Sequence, residues 1–370
     1  MNAEPGRRIL VDGYWWVSGP PSGRNVLRSL IAAWSEHYAG DRLTLVVRRD
    51  ERAAVQEDLR RSGIDADLLN YPRAARVQAI AALSIGRHSP GHDAVLTQNF
   101  ATRSPGAVSC VLVHDAIYVD HPEWFSPLER VYLSALRPTL RRSDLIFTTS
   151  QSETARIARV WPETRQRLRP IGLGVPVGLS GAAARRPEAL DGDRPFILVV
   201  GRLNVRKNLG RLLAAFLQSP TLSASHRLVV VGERDGKADG AASASASSVA
   251  FLERVVDAEL RWLYEHCALF VFPSLDEGFG LPLIEARSFG ARAVASDIPS
   301  FRELGIAEAY FDPTSVDAIE HAMSAALAGG PAAPGAGSGP APEGWAAVVG
   351  RIRDAIDTSL GKRSVDVTAS

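Results

Sequence analysis

The chain has 370 residues, of which 46% are hydrophobic and 22% are charged, and its net charge is +1. This length indicates two domains rather than one core, and the near-neutral charge argues against a nucleic-acid-binding protein, which is usually basic. The two cysteines, Cys110 and Cys267, lie in apolar runs and are predicted to be reduced core residues. Residues 1–8 do not form a signal peptide, and the long charge-free stretch 322–342 is too rich in Gly and Pro for a membrane helix, so we expect a cytoplasmic protein.

The first half of the chain alternates predicted strands and helices, which is the pattern of a doubly wound α/β domain. A strand at 8–12 leads into a loop rich in Gly and Pro at 13–23, and residues 24–37 then have helical period, with Ser22 as a candidate cap. Ligands of such sheets bind beyond the carboxyl ends of the strands, although an ordinary turn explains a bare glycine loop equally well. The other elements predicted in this half are the strands 43–47, 94–97, 109–113 and 145–149 and the helices 53–62, 129–142 (with a break at Pro138) and 150–160.

The second half opens with a continuous apolar run at 195–200, which predicts a strand of the parallel, doubly buried type. The loop GRLNVRKN at 201–208 and a helix at 209–217 follow this strand. Arg202 and Lys207 flank the loop, where two fixed cations and the free N–H groups of the helix start can neutralise a diphosphate. The other elements predicted in this half are the strands 227–231, 268–272 and 293–297 and the helices 257–267, 281–289 and 345–356.

The stretch 272–285, FPSLDEGFGLPLIE, combines a strand end, a glycine loop and a helix start. Gly278 and Gly280 let the backbone approach a ligand closely, and the N-terminus of the following helix favours an anion. Glu277 lies in the loop and Glu285 about one turn into the helix, and a carboxylate can accept hydrogen bonds from two neighbouring sugar hydroxyls. Phosphate plus sugar indicates a nucleotide sugar. The alternative is an acidic loop before an amphipathic helix, and the spacing alone does not decide between the two.

The two glutamates within EGFGLPLIE resemble the signature of the family 4 retaining glycosyltransferases, and the resemblance extends from about Ile9 to Pro313. It implies the α/β GT-B fold, in which two Rossmann-like doubly wound domains face a central cleft. The domains that it implies are an acceptor-binding domain at 1–174, a linker at 175–193, a nucleotide-sugar-binding domain at 194–340 and a C-terminal helix at 341–370 that returns to the first domain.

The resemblance is most specific in the second half, where the spacing GR-x₄-KN is similar to the diphosphate site of the family. It implies that Arg202 and Lys207 act catalytically on the donor diphosphate and that Glu277 holds the transferred sugar near its C3 and C4 hydroxyls. Glu285 is expected to be ionised and to accept hydrogen bonds from the ribose. The remaining contacts to the donor are expected from Gly201 and from the backbone N–H groups of Phe279, Gly280 and Leu281.

In the first half, the segment HDAIYVDHPEWFSP is similar to the segment that contains the active-site histidine of the family. His114 is the matching residue, and the resemblance implies that it is catalytic and lies against the donor sugar. A histidine at a strand end is otherwise more often structural. Gly19 and Gly23 are loose matches to the glycine loop that approaches the donor diphosphate and the acceptor.

The function that the resemblance implies is a retaining transfer of a sugar from a nucleotide-sugar donor to a hydroxyl of a glycan or of a polyprenyl-diphosphate-linked acceptor, in surface polysaccharide biosynthesis. Mannose or rhamnose is the expected sugar, with GDP-mannose slightly favoured over UDP- and dTDP-sugars. Two alternatives stay open: another GT-B enzyme, of the sucrose-type synthase or phosphorylase kind, and a non-catalytic nucleotide-sugar-binding protein.

The sequence contains no cluster with the spacing of metal ligands, so no metal and no other cofactor is expected, and protein cations take the electrostatic role of the metal. No nucleic-acid partner is expected either. Arg137, Arg141 and Arg142 share a face of a predicted helix. Such a face is usually only solvated, but it also suits an anionic membrane, so peripheral attachment at the inner face of the membrane is a further hypothesis.

Overall fold

The computed structural model describes residues 6–72, 76–233, 247–329 and 343–368, with side chains described up to residue 363. The insertion predicted at 236–248 and the low-complexity stretch predicted at 329–344 lie almost entirely outside these ranges. The chain divides into two compact units. Unit 1 contains residues 1–116, 127–177 and 343–370, and unit 2 contains residues 117–126 and 178–342.

These units differ from the predicted domain limits chiefly in residues 117–126, which the sequence places in the first domain and the structure in unit 2. Within unit 2, His121 of this segment lies 3.9 Å from the Asp276 carboxylate and stacks on Trp124. The predicted linker 175–193 divides at Val177, and its larger part belongs to unit 2. The C-terminal helix packs in unit 1, as the sequence predicts.

Each unit is built on one sheet. The strands of unit 1 are β1 (Arg8–Asp12), β2 (Arg42–Val47), β3 (Asp67–Asn70), β4 (Ala94–Gln98), β5 (Val108–Val113), β6 (Leu145–Thr148) and β7 (Leu168–Pro170). The strands of unit 2 are β8 (Phe196–Val200), β9 (Arg227–Val231), β10 (Val249–Leu252), β11 (Leu269–Phe272), β12 (Ala293–Ser296) and β13 (Ala309–Phe311). The strand order is β3-β2-β1-β4-β5-β6-β7 in unit 1 and β10-β9-β8-β11-β12-β13 in unit 2. Among the described residues every strand pairing is parallel, as the doubly wound pattern predicts.

Helices connect these strands. From the first residue to the middle of the chain they are α1 (Pro21–His37), α2 (Arg52–Arg61), α3 (Gln78–Ile85), α4 (Ile117–Asp120), α5 (Pro127–Ser134), α6 (Leu136–Leu140), α7 (Gln151–Val160) and α8 (Val177–Gly181). The later helices are α9 (Leu209–Gln218), α10 (Pro220–Ser225), α11 (Asp257–His266), α12 (Leu281–Ser288), α13 (Pro299–Leu304), α14 (Val316–Ala328) and α15 (Trp345–Thr368). Short 3₁₀ turns lie at Gly86–His88, Pro122–Trp124, Pro162–Arg167 and Val205–Lys207.

The central strands form where the sequence is continuously apolar. All six residues of β5 are buried, and so are the first four residues of β8. Helices cover both faces of a doubly wound sheet, so a strand in its middle has no polar face and shows no alternation. This burial places the strand ends, rather than their faces, within reach of a ligand.

The sequence predicts a helix at 129–142 with a break at Pro138, and the position of the break is wrong. The structure has two helices, α5 and α6, and the break falls at Ala135. Pro138 is the third residue of α6, within the first turn, where its missing N–H removes no helical hydrogen bond. A helix start can therefore contain the proline that the sequence suggests as a break.

The C-terminal helix α15 is fastened to unit 1 by a buried ion pair. The Arg353 side chain is 2% exposed, and its Nε donates to the Asp41 carboxylate at 2.8 Å. The Trp34 indole N–H and the Arg7 backbone N–H also donate to Asp41, at 2.9 and 2.6 Å. Around this pair, α15 buries the apolar side chains of Val348, Val349, Ile352 and Ile356.

We expect Arg353→Leu to lower the free energy of unfolding by about 3–5 kcal/mol, because it leaves the Asp41 charge buried without a counter-charge. The matched control is Arg363→Leu, which removes a half-exposed ion pair of the same helix with Asp144 and is expected to cost about 0–1 kcal/mol. Urea unfolding followed by far-UV circular dichroism measures both. Equal, small losses would show that Trp34 and Arg7 satisfy Asp41 without the arginine.

Candidate functional site

The chain order of the strands in unit 2 reverses between the neighbouring strands β8 and β11. Ligands of doubly wound sheets bind in the crevice that such a reversal leaves at the carboxyl ends of the strands. Two loops follow these two strands, residues 201–208 after β8 and residues 273–280 after β11. They are the two loops in which the sequence places the donor-binding residues.

The two loops are fixed to each other by backbone and side-chain hydrogen bonds. The Leu275 N–H donates to the Arg206 carbonyl at 2.8 Å. The Asn208 amide donates to the carbonyls of Pro273 and Pro313, at 3.0 and 2.7 Å. Asn208 has a left-handed backbone with φ of 56°, a conformation that asparagine tolerates better than most residues. This strained residue turns the chain from the 3₁₀ turn into α9.

Glu277 is the centre of a buried charge cluster. Its Oε1 accepts hydrogen bonds from Lys207 Nζ at 2.5 Å and from Ser274 Oγ at 2.8 Å, and its Oε2 accepts one from Arg206 Nη1 at 2.6 Å. The side chains of Arg206 and Lys207 are 14% and 13% exposed. A carboxylate has about four lone-pair positions. Three are used here, so Glu277 keeps one position on Oε2 for a sugar hydroxyl.

The charges in this cluster set its pKa values. Burial raises the pKa of Glu277, but the charges of Arg206 and Lys207 and the hydrogen bonds from Lys207 and Ser274 outweigh it and lower the pKa to about 2. Burial lowers the pKa of Lys207 to about 8, because the attraction of Glu277 only partly offsets burial and the repulsion of Arg206 and Arg202. At neutral pH the two cations therefore exceed the one anion, and the cluster has a net positive charge.

Arg206 is a site residue that the sequence reasoning missed. The prediction paired Lys207 with Arg202 and treated the residues between them as spacer, whereas the structure places Arg206 and Lys207 together on Glu277. Arg202 lies half-buried in the same loop, close enough to lower the pKa of Lys207. The adjacent Arg-Lys pair at the end of a short loop is the signal that could have indicated Arg206.

Two of the glycines predicted to contact the donor also have a packing reason. A Cβ on Gly201 would lie 3.1 Å from Lys207 Cε, so a larger residue would displace the lysine side chain. Gly280 has φ of 111°, and a Cβ there would lie 2.8 Å from the Phe301 ring. Glycine at these two positions therefore keeps Lys207 and the start of α12 in place.

The N-terminus of α12 presents free donors. Within the described chain, no acceptor is bonded to the backbone N–H groups of Phe279, Gly280 and Leu281. The first N–H groups of a helix have no intrahelical partner, and they carry the positive end of the helix dipole. These three groups suit a phosphate or a sugar oxygen, and their contact with the donor stays a prediction.

Glu285 lies in α12 and is only 7% exposed. Its Oε2 accepts a hydrogen bond from the Tyr264 hydroxyl at 2.8 Å. Burial raises the pKa of Glu285 to about 7 in spite of the Tyr264 hydrogen bond, and the charge of Asp257 raises it further. The sequence predicts an ionised Glu285, and burial moves its pKa up to about neutral pH.

In unit 1, His114 and the two predicted glycines surround one tryptophan. The Trp15 ring lies 5.5 Å from the His114 ring. A Cβ on Gly19 would lie 2.7 Å from Trp15 Cδ1, and one on Gly23 would lie 2.5 Å from Trp15 Cε3. The two glycines thus make room for the indole, which is a structural reason for the glycine loop. Their predicted contact with the donor stays a prediction.

His114 is held as a neutral imidazole. Burial lowers its pKa to about 4, and its Nε2 lies 2.9 Å from Gln98 Oε1. Its backbone N–H donates to Asn99 Oδ1 at 3.1 Å. With the Gln98 oxygen as acceptor, the proton of the neutral ring lies on Nε2. His114 is therefore held in one neutral tautomer and not as a cation, and its catalytic role stays a prediction.

The strand ends of unit 1 also hold a polar network that the sequence reasoning did not identify. Asp12, at the end of β1, is fully buried and accepts hydrogen bonds from the Tyr71 hydroxyl at 2.6 Å and the Tyr14 backbone N–H at 3.0 Å. Burial raises the pKa of Asp12. Gln98, at the end of β4, has a buried Nε2 that donates to no group among the described residues. Because β1 and β4 flank the reversal of strand order in unit 1, this unused donor lies where a ligand is expected.

No group of three or more His, Cys, Asp or Glu residues is placed to hold a metal ion in the part of the chain that the structure describes. The independence from metals stays a prediction. No described helix has both the length and the apolar character needed to cross a membrane. Arg137 belongs to the basic face predicted to contact a membrane, and its Nε lies 3.0 Å from Glu163 Oε1.

Residues 182–333 match the family described as glycosyl transferases group 1. This match places residues 182–333 in the glycosyl transferases group 1 family. This confirms the family at the level of group 1, while the finer placement in family 4 of the retaining enzymes stays a prediction.

Several relatives of the chain are bacterial mannosyltransferases. The chain is 29% identical over 286 residues to the serotype-specific mannosyltransferase WbdA of Escherichia coli. This match covers 70% of the chain and 35% of WbdA. The chain is also 30% identical over 234 residues to the O-antigen chain mannosyltransferase B of Escherichia coli. This match covers 56% of the chain and 58% of that protein. The chain thus spans about a third of the length of WbdA.

Solved structures with the same fold cover almost all of the chain. A sucrose-phosphate synthase from Thermosynechococcus elongatus has a TM-score of 0.61 at 18% identity and covers 98% of this chain and 99% of its own. The Anabaena protein Alr3699/HepE in complex with UDP and glucose has a TM-score of 0.60 at 15% identity and covers 98% of this chain and 100% of its own. Together with the two parallel α/β units, they confirm the GT-B fold class.

The charge cluster can be tested through Lys207, since the chain has only three lysines. With ¹³Cε-labelled lysine, we expect the Lys207 resonance to titrate near pH 8. Glu277→Gln is expected to lower this pKa further, because the attraction of the carboxylate is lost while burial remains. Glu259→Gln, which removes a carboxylate paired with Arg185 in the same unit, is the control and should leave Lys207 unchanged. A Lys207 titration that is identical in both variants would contradict the ion pair.

Proposed function

We propose that the chain is a glycosyltransferase that moves a sugar, with mannose favoured, from a nucleotide-sugar donor to a hydroxyl of a glycan or lipid-linked acceptor in polysaccharide biosynthesis. The observation that carries this proposal is the positive cluster of Arg206, Lys207 and Glu277 at the reversal of strand order in unit 2. The mannosyltransferase names of the relatives support mannose. The UDP and glucose bound to the Anabaena protein support a nucleotide-sugar donor.

The chemical demand on the site is the departure of the nucleoside diphosphate, which gains negative charge as its bond to the sugar breaks. Arg206 and Lys207 are held by Glu277 before the reaction starts, so they stabilise that charge without reorganising. A bound diphosphate also favours the charged form of Lys207, because an anion nearby raises the pKa of an amine. In this proposal Arg202 adds a third cation, and no metal is required.

Retention of configuration is part of the proposal. Glu277 is bonded to three donors and its pKa is lowered to about 2, so it is a weak nucleophile. We therefore assign it a holding role, with its remaining lone-pair position on a hydroxyl of the transferred sugar. The acceptor hydroxyl then attacks from the face of the leaving group, and the leaving phosphate accepts its proton.

The test is the release of nucleoside diphosphate from a panel of GDP-, UDP- and dTDP-sugars, with and without EDTA. We expect release from GDP-mannose that survives EDTA. Arg206→Gln is expected to lower kcat by about 10²–10³, the typical cost of one lost transition-state donor, whereas Arg254→Gln, at an exposed ion pair of unit 2, should have no effect. Tight donor binding without release would identify a non-catalytic binding protein, and a loss in EDTA that magnesium restores would reject the metal-free mechanism.

The pKa of Glu285 gives a pH prediction for the nucleotide alone. If ionised Glu285 accepts from the ribose, GDP affinity should rise as pH increases through about 7, where the carboxyl loses its proton. Glu285→Gln should bind GDP more weakly above pH 7 and should lack this rise. Calorimetry at pH 6 and pH 8 measures both proteins, and the ionisation of GDP itself cancels in their ratio. An equal pH dependence in the two proteins would place Glu285 away from the ribose.

A further inference from the structure

Unit 1 contains a cavity of about 550 Å³ that is separate from the residues discussed above. Its lining residues are Arg49, Asn70, Pro72, Arg87 and His88. Arg49 follows β2, and Asn70 ends β3, so the cavity lies at the same sheet edge as Asp12. Arg87 and His88 come from the 3₁₀ turn that continues α3.

The two arginines of the cavity have no neutralising partner among the described residues. The neighbouring Arg48 is bound by Asp50 at 2.6 Å and by Glu51 at 3.3 Å, but Arg49 and Arg87 have no carboxylate within 4.0 Å. The Arg87 Nε donates to the Ser84 carbonyl, which leaves its terminal N–H groups for a ligand. Two guanidinium groups in one cavity favour an anion with several oxygens, such as a phosphate or diphosphate.

The other polar residues of the cavity suit the same ligand. Burial and the charges of Arg87 and His92 lower the pKa of His88, so at neutral pH it offers an uncharged N–H donor. The Asn70 side-chain oxygen accepts from Arg52 Nη1 at 3.5 Å, so the N–H₂ group of Asn70 points away from Arg52. The cavity thus combines two cations with neutral donors and has no acidic lining residue.

An exposed apolar surface adjoins this basic cavity. Val77, Ile80 and Leu83 are 44%, 50% and 41% exposed. They are spaced three residues apart, and Leu83 lies one helical turn before Arg87. The neighbouring helix α5, which is tied to α3 by the Tyr132 hydroxyl on Gln78 at 2.8 Å, adds Leu128 and Val131. Among the described residues these are five of the nine large apolar side chains that are exposed, so the apolar surface is concentrated here.

We infer that this cavity binds the diphosphate of a lipid-linked acceptor and that the lipid chain lies along the exposed apolar side chains of α3. The inference rests on the proposed function, since it assigns the acceptor of that reaction. A diphosphate joined to a hydrocarbon chain matches both features, and a free sugar or a long soluble glycan matches neither.

The position of the cavity also indicates how long the acceptor is. Tyr71 lies between the lining residues Asn70 and Pro72, and its hydroxyl is bonded to Asp12. β3 and β1 are two strand spacings apart, which is roughly 10 Å. A glycan attached to the bound diphosphate therefore needs to extend only a short way along the sheet edge to reach Asp12 and His114. The acceptor class is a lipid diphosphate that bears a short glycan.

The experiment titrates the full chain, without donor, with farnesyl diphosphate below its micellar concentration and with inorganic pyrophosphate. We expect farnesyl diphosphate to bind more tightly than pyrophosphate. Arg49→Gln and Arg87→Gln should each weaken both ligands by about 10-fold or more, the typical effect of losing a charge-assisted hydrogen bond. Ile80→Ser with Leu83→Ser should bring the affinity for farnesyl diphosphate down to that for pyrophosphate.

The control is Arg169→Gln, which removes a surface arginine on β7 at the opposite edge of the same sheet and should change nothing. Equal affinities in the wild type, Arg49→Gln and Arg87→Gln overturn the inference. Binding to phosphatidylglycerol vesicles, but not to farnesyl diphosphate, through the same arginines would also overturn it, because the cavity would then be a membrane contact.

The donor assay separates this inference from the proposed function. Nucleoside diphosphate release by the wild type with no farnesyl diphosphate binding would leave the transfer reaction standing and reject the cavity. Farnesyl diphosphate binding that depends on Arg49 and Arg87, in a protein that releases no nucleoside diphosphate, would retain the cavity and reject the transfer. Both arginine variants should keep the wild-type melting temperature and GDP affinity, since their side chains are at the surface of unit 1.

Discussion

The ion pairs of Glu277 with Arg206 and Lys207 are the interaction on which the arrangement of unit 2 depends. They join the loop after β8 to the loop after β11, and all three side chains are largely buried. A buried charge that loses its partner costs several kcal/mol, so neither loop can move without the other. The left-handed backbone of Asn208 and the lack of a side chain at Gly201 both cost folding free energy. The ion pairs of the cluster offset this cost.

The sequence predicted the architecture well and the side-chain partners less well, for a physical reason. Continuous apolar runs such as β8 identify buried parallel strands, because burial on both faces is a property of each segment by itself. Arg206 was missed because its partner Glu277 lies 71 positions away in the chain, so their contact exists only once the two loops are folded together. The sequence singled out Gly19 and Gly23 as part of a glycine loop. That they make room for the Trp15 ring is seen only in the folded loop.

The two units place chemically different groups at equivalent positions of their sheets. Unit 2 has fixed charges with a net positive sum, which suit a diphosphate. At the reversal of strand order in unit 1, Asp12 is bonded to Tyr71 and the neutral His114 to Gln98, and the unused donor of Gln98 lies beside them. Donors and acceptors of this kind suit hydroxyl groups. In the proposed function, this difference puts the donor diphosphate at the strand reversal of unit 2 and the acceptor hydroxyl at that of unit 1.

The docking of α15 has a consequence for the order in which the protein folds during synthesis. Asp41 and Arg353 are separated by 312 positions, so unit 1 cannot form this ion pair until Arg353 has been translated. Unit 2 is formed by residues that precede α15, and its sheet is complete by Phe311. Domains usually fold from the N-terminus as they emerge. Here all the strands of unit 2 precede α15 in the chain, so a chain that stops before Arg353 lacks the counter-charge of Asp41.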